Sequence, residues 1–92
     1  GYGIFGGMPK DWAVLEFSPG RAQWVRHESW HPQQEGTLHA DGRYTLKVPY
    51  SDERELLGDI LRFGAEVKVL APPLLQQKIS KELSKALNQY KA

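Results

Sequence analysis

The chain of 92 residues contains no cysteine, and that absence excludes disulfides, thiolate zinc sites and cysteine nucleophiles together. A secreted domain of this size ordinarily leans on such staples, so a reducing, cytoplasmic location is expected. Charge of one sign is also lacking: twelve basic and eleven acidic side chains leave a formal net charge of +1. A stand-alone DNA-binding domain normally carries a clear basic excess, so any main phosphate-gripping surface is expected elsewhere. No apolar run approaches the roughly 20 residues that span a bilayer. The opening GYGIFGGMPK has no apolar core of the kind a secretory signal needs. No membrane partner is expected.

What remains is ordinary for one folded domain: 40% hydrophobic and 25% charged residues. Residues 1–10, with four glycines and a proline around Tyr2, Ile4 and Phe5, read as a linker or tail with apolar anchors. Residues 11–92 read as a single domain. Trp12 to Phe17 is short, apolar and rich in strand formers. Ser18-Pro19 then supplies an N-cap and a proline at the first helical position, where a missing N–H costs nothing. The spacing predicts a helix to about His27 or Ser29, with Ala22 and Val25 facing inward, ended by Trp30-His31-Pro32.

Asp41-Gly42 between Glu35–Ala40 and Arg43–Pro49 is the pair that favours a type I′ hairpin turn. In the second arm Tyr44, Leu46 and Val48 alternate with polar residues, which predicts one buried face. Asp52 with Glu55 three positions on predicts a capping box. Leu56, Leu57, Ile60, Leu61 and Phe63 form the apolar stripe of the helix that follows, and Gly64 is placed for a left-handed exit. Glu66 to Ala71 predicts a last strand. Pro72-Pro73 opens a final helix whose stripe is Leu75, Ile79, Leu83, Ala86, Leu87 and Tyr90. The order predicts an α+β fold, a ferredoxin-like βαββαβ sandwich with a four-stranded antiparallel sheet and an extra C-terminal helix.

Several short runs carry specific wording: Tyr2-Gly3-Ile4-Phe5, Trp30-His31-Pro32-Gln33-Gln34, Asp41-Gly42-Arg43-Tyr44, Leu56 to Gly64, and Val67-Lys68-Val69-Leu70-Ala71-Pro72. In this order and spacing they resemble the C-terminal extension, or WCX domain, of bacterial WYL-domain transcriptional regulators, over nearly the whole chain. Such regulators place a winged helix-turn-helix and an SH3-like WYL domain upstream, and the Trp-Tyr-Leu signature is not in this sequence. The resemblance therefore implies a fragment preceded by those domains, with residues 1–10 as the linker from them. It further implies a homodimer, DNA contact through the upstream helix-turn-helix, a share in sensing an effector, and no catalytic residue.

Candidate chemistry outside the resemblance is sparse. His27 and His31 are four apart, a spacing that can chelate zinc on a continuous helix, but Pro32 breaks the helix there, and structural or surface histidines are expected. Asp52, Glu53 and Glu55 have the character of helix-start charges. No serine lies in a nucleophile elbow and no glycine loop precedes a helix as a phosphate cradle. Neither an enzyme nor a cofactor is expected. Lys78, Lys81 and Lys85 read as the wet side of the last helix. Arg21, Arg26 and Arg43, near Trp24, Trp30 and Tyr44 in sequence, are the candidate contacts for a nucleic-acid or nucleotide effector, since cations beside aromatics hold phosphates and stack on bases. The alternative function is a single-stranded nucleic-acid module using the open sheet face. For self-association, Tyr50, Phe63 and the tail aromatics are the candidate apolar patch.

Overall fold

The structure is a computed structural model that describes residues 11–91; the expected tail and its apolar anchors lie outside the described residues. Strands β1 (Asp11–Phe17), β2 (Glu35–Leu38), β3 (Tyr44–Tyr50) and β4 (Val67–Ala71) and helices α1 (Pro19–Val25), α2 (Glu53–Leu61) and α3 (Pro73–Asn88) follow in the order β1-α1-β2-β3-α2-β4-α3. The sheet is antiparallel throughout, in the order β2-β3-β1-β4. A short 3-10 turn, Gly64–Glu66, leads into β4.

Strict alternation gives the sheet two unlike faces. Leu38, Tyr44, Phe17 and Val67 share one row of the inner face, and Gly36, Leu46, Leu15 and Val69 the next. The helices add Ala22, Val25, Leu56, Ile60, Leu75 and Ile79 to this core. Gly36 is required by its neighbour: a Cβ there would lie 1.7 Å from the Tyr44 hydroxyl, so the tyrosine covers the edge strand only because glycine leaves it room. The other face carries Thr37, Thr45, Glu16 and Lys68 in one row and Glu35, Lys47 and Val14 in the next, with Trp12 opposite Pro49 beyond them. Strand β2 pairs only as far as Lys47, so Pro49, on the β2 side, opposes no strand that would need its missing N–H.

Local details correct the expected boundaries. Helix α1 ends at Val25, because His27 and Glu28 N–H groups close tight turns onto Trp24 and Val25 carbonyls and the chain turns so that Trp30 enters the core. The hairpin turn is not type I′: Gly42 alone has positive φ, at 96°. The Gly42 N–H bonds the His39 carbonyl and the His39 N–H the Arg43 carbonyl, which is a three-residue loop with a glycine bulge. Asp52 caps α2 by accepting from the Arg54 N–H at 3.0 Å, but the reciprocal bond from Glu55 does not form among the described residues. The expected stripe of α3 is buried only at Leu75 and Ile79.

Candidate functional site

The run Trp30 to Gln34 has a structural task. Trp30 stacks on Phe63 (6.0 Å between centroids, 16° between planes), and both meet Phe17 edge-on. Gln34 holds the turn: its Oε1 accepts from the Trp30 and His31 N–H groups at 2.5 and 3.1 Å, and its Nε2 donates to the Glu28 carbonyl at 2.9 Å. His31 is buried, with Nδ1 accepting from the Gln33 N–H at 3.0 Å. His27 accepts from Arg26 Nε, and His39 Nε2 lies 2.6 Å from Thr45 Oγ1. Each histidine has its own local partner. No group of three His, Cys, Asp or Glu side chains is arranged for a metal among the described residues.

The three candidate arginines separate. Arg43, just past the hairpin glycine, binds Asp41 at 2.7 Å and Glu16 at 3.3 Å. The Arg43 side-chain bond, with its backbone N–H, holds the Asp41 carboxyl below the usual aspartate range, and the same Asp41 bond holds the guanidinium of Arg43 above its own. Glu16 and Arg43 divide two shallow hollows, of about 330 and 210 Å³. Lys68 borders the smaller one, opposite Glu16 across β1 and β4. Arg43 is thus taken up by two carboxylates and is not the open cation that an anionic ligand needs.

Arg21 on α1 and Arg26, its C-cap, are both exposed, on opposite flanks of the buried Ala22 and Val25. Neither forms an ion pair among the described residues. Arg21 approaches the Phe63 ring from one direction at 5.9 Å, and Arg62, which pairs with Glu28 and Asp59, reaches the same ring at 4.9 Å. Trp24 stands between Arg21 and Arg26 in sequence and is 63% exposed. Arg21 and Trp24 stand one turn apart on the same flank of α1, whereas Arg26 is about 160° round from Trp24, and Trp30 and Tyr44 are buried in the core.

A third region lies between β4 and α3. A groove of about 220 Å³ runs there, lined by Val67, Val69, Ile79 and Leu83 with Lys68, Gln76 and Ser80. Gln76 donates to the Val69 carbonyl at 3.1 Å and so caps part of the sheet edge. Beyond the groove α3 continues with Leu83, Leu87 and Tyr90 at 43, 54 and 88% exposure. The sequence puts these three on the apolar stripe of the last helix; their periodicity is visible, but nothing local shows that the covering surface stops short of them. Conversely Tyr50, expected as a surface patch, is buried, and Phe63 is half-buried in the core margin.

No helix of the described residues is long and apolar enough to cross a membrane. Compared with known families, residues 9–87 match the model of the WCX domain. No curated protein matches the chain.

Proposed function

The chain belongs to the WCX family, the C-terminal extension found in WYL-domain regulators and an accessory domain with no known catalytic role, and from that premise we propose that it is the regulatory and dimerisation domain of such a transcription regulator. It would act by population shift. An effector bound mainly by the WYL domain favours one packing of the protomers, and this extension carries the difference to a DNA-binding domain upstream. We read the strand order as a ferredoxin-like sandwich, in which β1-α1-β2 and β3-α2-β4 interlock around one core with α3 added.

The family match carries this reading, and the exposed apolar continuation of α3 supports the assembly part of it. The test is the mass of the protein in solution over a concentration series at low and moderate salt. A dimer that persists in salt is expected. A strict monomer throughout the series would remove independent dimerisation from the proposal.

A second reading rests on Trp24 with Arg21: a nucleotide or single-stranded nucleic-acid effector stacked on the indole, its phosphate on the Arg21 guanidinium, with Arg26 on the other flank of the helix. It predicts oligonucleotide binding that weakens steeply with salt and is lost in Trp24→Ala.

A further inference from the structure

The outer face of the sheet, opposite the core, is divided between an apolar end and a polar one. Alternation along β1 and β3 sends Trp12 and Val14 to this face, with Pro49 paired beside Trp12. In β4 Leu70 is the extra residue at the register shift, because Val14 pairs with Ala71 and Leu15 with Val69. Val69 belongs to the core, so Leu70 faces outward and flanks Val14. Pro49 is fully buried, whereas Trp12 is 44% and Leu70 40% exposed. Further along, the same face carries Glu16, Thr45 and Lys68, with Lys47 and Glu35 towards β2. The side chains that the three helices bury all join the core on the opposite face.

The chain enters the sheet at its apolar end: residues 1–10 run directly into β1 at Asp11. Residues 1–9 hold no acidic or basic side chain, and they include Tyr2, Ile4, Phe5 and Met8. We propose that this segment turns back at Pro9 and lies on the outer face of its own sheet, with Ile4 and Phe5 over Trp12, Val14 and Leu70.

Reach, polarity and attachment select this occupant. Residues 2–8 can extend about 23 Å, and the whole sheet is about 14 Å across its four strands. Proline is preset for a reversal, and Gly6 and Gly7 add no side chain that would hold the backbone off the indole. An uncharged segment gains nothing at the end of Glu16 and Lys68, and it removes apolar surface from water at the end of Trp12. A tethered segment also meets its seat at an effective concentration of about millimolar, ahead of any free partner in dilute solution. Under the regulator reading above, the seat makes the linker from an upstream domain a fixed joint on β1 instead of a loose tether. The docking itself does not depend on that reading.

The test uses the whole chain. Trp30 is buried, so in a Trp24→Phe background the quenchable indole is that of Trp12. Ile4→Ser combined with Phe5→Ser should shift the Trp12 emission to longer wavelength and raise its quenching by acrylamide, with the far-ultraviolet dichroism of the parent retained. The natural absence of cysteine allows a second readout. Phe5→Cys with Leu70→Cys should close a disulfide within one chain under mild oxidation. Phe5→Cys with Lys81→Cys, on the exposed side of α3, should not. Unchanged Trp12 fluorescence, closure of the Leu70 pair no faster than the Lys81 pair, or a disulfide that joins two chains instead of closing one would overturn the seat. Each of those results leaves the regulator reading standing, because none of them reads DNA, an effector or the dimer.

Discussion

Helices α2 and α3 carry the same kind of apolar stripe and meet different fates. Along α2, nine residues long, Leu56 and Ile60 are buried, and Leu57 and Leu61 pack against the same core, as does Phe63 just beyond. Along α3, sixteen residues long, burial stops at Ile79. Length of the strand is not the limit: burial stops at the seventh residue of α3, about 10 Å along it, although the five residues of β4 cover about 17 Å, so only the first two turns of α3 are packed on the core. Amphipathicity in a sequence reports that a face will be covered. It does not report whether the cover belongs to the same chain.

The sharpest way to break the comparison is to truncate one leucine on each helix. Leu56→Ala is expected to cost about 2–5 kcal/mol, the range for a buried leucine whose cavity closes only in part. Leu87→Ala should lie within about 0.5 kcal/mol of the parent in dilute solution, as exposed substitutions generally do. Urea unfolding of the two variants checks both, and a large loss in Leu87→Ala would mean that the stripe has a cover within its own domain.

Next in size is Gly36→Ala. The added methyl collides with the Tyr44 ring, and forcing either strand β2 or the tyrosine aside is expected to cost about 1–3 kcal/mol. Gly58, on α2, has open space where a Cβ would go, so Gly58→Ala should instead stabilise the protein, by about 0.5–1 kcal/mol through helix propensity. The opposite signs of these two changes separate room in the fold from preference in the chain.

Smaller again is Ser18→Ala, about 1 kcal/mol as for other N-caps. Ser18 caps α1 and its hydroxyl also donates to the Glu66 carboxylate, which joins the start of α1 to the approach to β4.

The smallest effect is at Asp41. Its folded value is depressed, so its contribution is present above the ordinary aspartate value and is lost as pH falls through the folded one. Both partners are exposed, so only a slight acid-side loss is expected, absent in Asp41→Asn. Stability measured across the acid limb of a pH series checks it. Tyr44 and Tyr50 act at the other limit, since burial raises both phenols. Their contribution is complete below the ordinary tyrosine value and is lost as pH rises through the folded ones.

Much of this architecture was legible beforehand because it is written locally. Ser18-Pro19 begins α1, Asp52 begins α2, Pro72-Pro73 begins α3, and alternation through Tyr44, Leu46 and Val48 marks the inner face of β3. The errors share a cause as well. Asp41-Gly42 is compatible with two turn types, and the hydrogen bonds of the flanking strands selected the bulged one. Trp24 and Trp30 are chemically alike, and the early end of α1 sends one outward and the other against Phe63. Arg43 looked available for a ligand until folding brought Glu16, distant in sequence, to 3.3 Å from it.

By itself, then, the sequence determined the order of elements, their starts, the inner faces of the strands and the family to which the run of short motifs points. Backbone conformation and side-chain periodicity act over a few residues, and that is the range over which such signals are complete. Only the tertiary structure decided which cations are neutralised, which aromatics are spent on the core, and how far along α3 the packing on the core extends. Those outcomes depend on pairings between residues tens of positions apart, where the geometry of the assembled sheet chooses the partners.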